Sequence, residues 1–167
     1  GYKYQCVEYA RRYMILRQGC IFPQCGPAAD IIKMDYVEDV ETGETHDFVA
    51  CLNKETDVKP AVGMTLIYPI EKKAPVGHVA VISYVGEDCV GIAEQNVENK
   101  SWAGKPYART IPLVKTEDGK WHLKEDGLVW SDPSGWLYIK DRAWRPITGG
   151  LTEAQQSDVD LLLSSKV

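Results

Sequence analysis

The chain has 167 residues, a net charge of −5, and a composition that is 44% hydrophobic and 26% charged. That length supports one domain with a genuine core and excludes two comfortable ones, and the mild acidic balance argues against the basic footprint that nucleic-acid binding requires. No apolar run reaches the roughly 20 residues of a membrane span and no signal-like segment opens the chain, so neither membrane insertion nor export is expected. Five cysteines, Cys6, Cys20, Cys25, Cys51 and Cys89, are odd in number and lack the spacing of a disulfide framework. A reducing, cytoplasmic setting follows as the expectation, with four of the five serving as small buried hydrophobes.

In chain order, Gln5 to Arg17 predicts a helix, with Cys6, Ala10, Tyr13 and Met14 on one side and a Glu8–Arg12 pair spaced for an ion pair on the outside. Gly19 is its stop. A second, shorter helix is expected from Gly26-Pro27 through Ile31 and Ile32, with the proline in its first turn. Val37 to Lys59 carries an acidic segment around Thr42-Gly43 and gives no clear pattern. From Pro60 the character changes to strands: Met64 to Tyr68, then Gly77 to Val85 and Cys89 to Val97 around the turn Gly86-Glu87-Asp88. Ala108 to Lys115 and Lys120 to Lys124 flank a second turn at Glu117-Asp118-Gly119, and Trp136 to Lys140 reads as a further strand. Thr152 and Gln155 form a capping box that opens a tail helix carrying Val159, Leu162 and Leu163. Helices followed by an antiparallel sheet make an α+β domain over residues 1–145, with a short helical tail over 146–167.

Three residues stand out chemically. Cys6 begins the first helix, where unpaired N–H groups and the helix dipole favour a thiolate. A cysteine at a helix end is more often inert, so position alone does not make it a nucleophile. His78 opens a strand that is apolar on both faces, and Glu94 shares a face with Val90, Ile92 and Asn96 by the period of two. A carboxylate on such a face needs a partner. Paired through the short turn, Glu94 can hold the imidazole by Nδ1–H and stabilise its cation beside a thiolate; Asn96 could orient the ring without charge. Gln5 is placed either to donate to an oxyanion or simply to cap the helix. His46 lies in the acidic loop, and His122 is expected to face solvent. Cys20 and Cys25 have no second thiol pair or histidine to complete a tetrahedral set, so no metal and no cofactor are expected.

Tyr4-Gln5-Cys6-Val7-Glu8-Tyr9-Ala10-Arg11-Arg12, Gly77-His78-Val79-Ala80-Val81-Ile82 and Ile92-Ala93-Glu94-Gln95-Asn96-Val97 together resemble the motifs of the CHAP amidases. Within that superfamily they are similar to the amidase domains of glutathionylspermidine synthetase/amidase and trypanothione synthetase, over about Tyr2 to Lys140. The resemblance implies a papain-like (CHAP, NlpC/P60-like) α+β fold, with N-terminal helices packed on an antiparallel sheet. It implies hydrolysis of the amide between the glutathione glycine carboxylate and a spermidine amine. By matching position Cys6 is then the nucleophile, His78 the base, Glu94 the orienting carboxylate and Gln5 the oxyanion donor. Arg11 and Asn96 match positions expected to contact the glutathione part. The partner so implied is a small glutathione–polyamine conjugate. The synthetase domain and the segment that usually precedes the Tyr-Gln-Cys motif have no counterpart in this sequence.

Two other readings use the same residues. A peptidoglycan amidase would need the same triad, though the Glu94-Gln95-Asn96 signature and the absence of a basic wall-binding surface tilt against it. A catalytically silent thiol-binding module would require that Cys6, His78 and Glu94 fail to converge.

Overall fold

The computed structural model describes residues 5–95, 97, 102–127 and 130–142. The expected tail helix and Asn96 lie outside these residues.

Helix α1 spans Cys6–Gln18, with Ala10, Met14 and Ile15 buried along its inner side. It stops as expected at Gly19, which adopts the left-handed conformation (φ 66°) and donates its N–H to the Ile15 carbonyl at 3.0 Å. The Glu8–Arg12 ion pair forms at 3.1 Å, but Glu8 is buried rather than on the outside. The second helix is a 3-10 helix, Ala28–Lys33, and Pro27 precedes it in an extended conformation instead of entering its first turn. The Ala29 N–H is committed to the Val76 carbonyl across the chain, and the i→i−3 bonds Asp30–Pro27 and Met34–Ile31 close a tight turn. Among the described residues, then, one α-helix stands where two helices were expected.

The rest is a nine-stranded antiparallel sheet. Its strands are β1 (Cys20–Ile21), β2 (Tyr36–Asp39), β3 (Thr45–Leu52), β4 (Thr65–Tyr68), β5 (His78–Val85), β6 (Cys89–Ala93), β7 (Arg109–Lys115), β8 (Trp121–Leu123) and β9 (Gly135–Ile139), in the spatial order β1-β2-β3-β9-β4-β5-β6-β7-β8. Both predicted hairpins are present, β5–β6 and β7–β8. The unread stretch from Val37 contributes the β2–β3 hairpin.

The sheet buries residues on both faces, which is why β4 and most of β5 read as continuous apolar runs. On one face Val79, Val81, Ile67, Leu137 and Ile139 meet Ala10 and Met14 of α1 and Ile31 of the 3-10 helix. On the other, Leu66, Tyr68, Ala80, Ile82, Val90, Ile92, Ile111, Leu123 and Trp136 pack against one another without a helix. A sheet can enclose a core alone only by curling, and the hydrogen bonds show that it does. Asn53, just beyond β3, donates to the Leu123 and Pro133 carbonyls and accepts the Leu123 N–H, each at 2.9 Å, so β8 is tied back to the chain leaving β3. No helix among the described residues is long and apolar enough to cross a membrane.

Candidate active site

The turn into β5 requires a glycine. Gly77 has φ +71°, and a Cβ there would stand 2.7 Å from both the Ala29 Cβ and the Tyr68 carbonyl oxygen. The 3-10 helix and β4 therefore close directly onto the residue before His78 and fix where that histidine begins its strand.

Cys6 is the first residue of α1, and Gln5 before it is extended, exposed and makes no side-chain capping bond. The simple-cap alternative for Gln5 thus has no hydrogen bond behind it. The Cys6 sulfur is hydrogen-bonded to the His78 side chain and to the backbone N–H groups of Val79 and Val7. His78 and Glu94 are 4% and 5% exposed, and His78 Nε2 lies 2.8 Å from Glu94 Oε2.

The pairing register explains this meeting. Val81 stands opposite Ala93 and Ile82 opposite Ile92. Continued one step past the end of β6, the register sets Glu94 opposite Ala80, diagonal to His78 on the same face. The expected ring nitrogen is corrected, however: Glu94 meets Nε2 rather than Nδ1. Nε2 is the ring atom farthest from the backbone and reaches toward the neighbouring strand. With Nε2 committed to Glu94, Nδ1 is the ring nitrogen left for Cys6, whose sulfur also meets the Val79 backbone.

The electrostatics follow from this order of groups. Burial pushes the Cys6 thiol up, but the hydrogen bond and charge of His78, helped by the two N–H groups, bring it below its ordinary value. Burial likewise works against the His78 cation, yet bonds to Cys6 and Glu94 and the charges of both push it up to about 9. Burial opposes the Glu94 carboxylate as well; the His78 bond and the Arg109 charge nevertheless hold it below the usual carboxylate range. A thiolate–imidazolium pair is the state these shifts favour around neutral pH.

Four residues at this site were not singled out from the sequence. Arg109 Nε donates to Glu94 Oε1 at 2.8 Å, its Nη1 to Glu125 Oε1 at 2.7 Å, and its Nη2 to the Tyr68 hydroxyl at 3.1 Å. Tyr68 donates to Glu125 at 2.6 Å. The Trp130 ring stacks on His78 with centroids 5.0 Å apart, and Tyr68 tilts against both rings. A signal for two of them was present: Arg109 is in phase with buried Ile111 and Leu113, and Glu125 with buried Leu123.

The other expected residues are placed as follows. Arg11 is buried, with its guanidinium 5.9 Å from the centroid of the Phe22 ring. It also acts electrostatically on half-buried Cys25, which lies within reach of the Cys6 charge. Cys20 and Cys51 are buried as expected, but Cys25 and Cys89 are only half-buried. His122 does not face solvent freely; it is half-buried and its Nε2 lies 2.8 Å from Asp132. Cys20, Asp39 and His46 converge as three candidate metal ligands. A guanidinium already serves that cluster, since Arg142 Nη2 bonds to Asp39 Oδ2 and lies 3.0 Å from His46 Nε2.

Beside α1 runs a cavity of about 690 Å³ walled by Tyr9, Tyr13, Trp102, Ser83 and Ala93. Tyr9 is one turn along the helix from Cys6, and Ala93 immediately precedes Glu94.

Comparison with known proteins places the chain in a family. Residues 1–96 match the CHAP domain. The chain is 38% identical to trypanothione synthetase of Crithidia fasciculata over 149 residues, covering 87% of this chain and 22% of that protein. It is 32% identical to glutathionylspermidine synthase of the same organism over 143 residues, covering 84% and 19%. It is also 32% identical to the bifunctional glutathionylspermidine synthetase/amidase of Escherichia coli (strain K12) over 127 residues, covering 75% and 20%. The chain thus spans about a fifth of the length of these relatives. It belongs to the CHAP domain family.

Proposed function

We propose that the chain is a cysteine amidase of papain-like architecture, in which Cys6 is the nucleophile, His78 the acid and base, and Glu94 the group that orients and charges His78. The observation that carries the reading is the unbroken line from the sulfur at the start of α1, through a buried imidazole, to a carboxylate 2.8 Å away. A helix on a sheet, with the nucleophile at the helix end and the histidine on the sheet, is the layout such hydrolases use.

The Cys6 thiolate attacks the amide carbonyl carbon, and the C=O electron pair moves onto oxygen. Gln5, whose side chain is not spent on capping, is assigned to stabilise that oxyanion together with N–H groups at the helix start. His78 Nδ1–H then protonates the leaving amine as the C–N bond breaks, leaving a thioester on Cys6. Neutral His78 next takes a proton from water while the water oxygen attacks the thioester. Collapse breaks the C–S bond, releases a carboxylic acid and restores the ion pair.

The substrate proposed is an amide joining the glutathione glycine carboxylate to a spermidine amine. It is supported by the similarity to a synthetase/amidase that carries glutathionylspermidine in its name, and by a cavity of about 690 Å³ beside α1. Arg11 and Asn96 are assigned to the glutathione half, and a reducing cytoplasm is the setting that suits a thiolate with four further free thiols. Residues 1–145 are taken as the catalytic unit and 146–167 as an appended tail. Incubating the protein separately with glutathionylspermidine and with a peptidoglycan stem peptide tests the assignment. Release of spermidine, lost in Cys6→Ala, is the expected result. Cleavage of the stem peptide alone would overturn the substrate while leaving the triad in place.

A further inference from the structure

We propose that Arg109 is a positioning residue for the hydrolysis: by spanning Glu94, Glu125 and Tyr68 it keeps Glu94 ionised and aimed at His78, and so sets the acid edge of activity. The proposal rests on the Cys6–His78–Glu94 reading above and deepens it.

All three nitrogens of one guanidinium are used. Nε goes to the Glu94 oxygen that His78 does not touch, Nη1 to Glu125, and Nη2 to the hydroxyl of Tyr68. The ring of Tyr68 packs on the His78 ring with centroids 5.8 Å apart. One rigid planar group therefore fixes the carboxylate at the edge of the imidazole and the aromatic against it, which a flexible ammonium cannot do equally well. Glu125, with its side chain 6% exposed, holds Arg109 from the far side. The line Cys6, His78, Glu94, Arg109, Glu125 alternates in sign from end to end.

Among the described residues, the titratable groups facing His78 and Glu94 are Cys6 from α1, Tyr68 from β4, Arg109 from β7 and Glu125 after β8. Arg109 is the one cation among them besides His78 itself. Without it Glu94 faces Glu125 in a buried space, and burial drives Glu94 toward its protonated form. A protonated Glu94 no longer stabilises the imidazolium, and the ion pair with Cys6 collapses to neutral thiol and imidazole. The loss comes at the acid side, because that is where Glu94 takes up its proton.

The test is the rate of Cys6 alkylation by iodoacetamide against pH, measured beside amide turnover in the wild type, Arg109→Gln, Arg109→Lys and Glu125→Gln. In Arg109→Gln the acid limb of both profiles should move up by about one pH unit or more, and turnover at pH 7 should fall roughly 10- to 100-fold, the range for groups that support a functional residue. Arg109→Lys should restore much of the acid limb and less of the turnover. Glu125→Gln should give a smaller fall, about several-fold, with Arg109 still in place. Acid limbs that coincide in all four proteins would overturn the proposal, even if Arg109→Gln is less stable or slower. If Arg109→Gln does not fold, Arg109→Lys decides: its acid limb should still lie measurably above that of the wild type, and a limb coinciding with the wild type would overturn the proposal. Alkylation needs no substrate. A normal wild-type alkylation profile without hydrolysis therefore counts against the substrate reading, and coincident limbs count against Arg109.

Discussion

Two clusters in this protein use the same four kinds of group, a thiol, an imidazole, a carboxylate and a guanidinium, and make different things of them. At one, Cys6, His78, Glu94 and Arg109 stand in that order, so the carboxylate separates the arginine from the histidine. At the other, Cys20, Asp39, His46 and Arg142 gather, but the guanidinium sits between the carboxylate and the histidine. A guanidinium nitrogen has no lone pair, so His46 Nε2 must accept from it. In the first cluster the imidazole is the donor to an anion and is pushed toward its cation. In the second it is an acceptor from a cation, and Asp39 is occupied by Arg142 and by the backbone N–H groups of Glu41 and Thr42. Sequence of charges, rather than composition, separates the proposed reactive centre from a clasp.

The sharpest way to break the comparison is to remove each sulfur. Cys6→Ala should lower turnover by roughly ten-thousand-fold or more while circular dichroism and melting remain near wild type. Cys20→Ala should keep turnover and cost about 1 kcal/mol of stability from the small cavity left in the core. Similar turnover in the two variants would erase the distinction.

Next come the carboxylates. Glu94→Gln should slow the chemical step by roughly a hundred- to ten-thousand-fold and reduce iodoacetamide reactivity at neutral pH, because the amide orients the ring without stabilising its charge. Asp39→Asn should leave turnover unchanged and destabilise by about 1–3 kcal/mol in urea titration. Its acid unfolding should also flatten. Asp39 is held below its unfolded value, burial opposing and the N–H groups and Arg142 prevailing. It therefore contributes stability above the unfolded pKa that is lost as pH falls through the folded one.

A smaller effect separates proton positions at the proposed reactive centre. Turnover should rise with loss of the Cys6 proton and fall through about pH 9, where His78 loses the proton it must give to the leaving amine. Alkylation of Cys6 should not fall there, since the sulfur stays a thiolate. Parallel decline of both rates above that pH would mean that His78 acts on the sulfur alone.

The meander β4 to β8 was legible because turn residues punctuate it and its strands are apolar. The end of β6 was overrun: Gly91, Ile92 and Ala93 continue into Glu94 without a breaking residue, although the ladder stops at Ala93. The β2–β3 hairpin was hidden because charged residues such as Glu38 and Asp47 occupy its strands, and one inward position is Asp39 itself. The nearness of Cys6, His78 and Glu94 could be reasoned from a helix end and a hairpin register. The choice of Nε2 could not, since it depends on where α1 lies over Val79. Arg109 and Glu125 were passed over because charged residues at strand ends usually meet solvent, and only the curl of the sheet turns these two inward.

The position of β9 bears on how this protein matures. The last strand among the described residues, β9, is inserted between β3 and β4, pairing Phe48 with Ile139 on one side and Thr65 with Leu137 on the other. Until residues 135–139 leave the ribosome, β3 and β4 are two open edges, each an invitation to pair with another chain. Tyr68, which braces His78, belongs to one of those edges. Such distant pairing is slow to form. A nascent chain is thus expected to carry the proposed nucleophile well before it has the wall behind His78, and reactivity should switch on as β9 slides home.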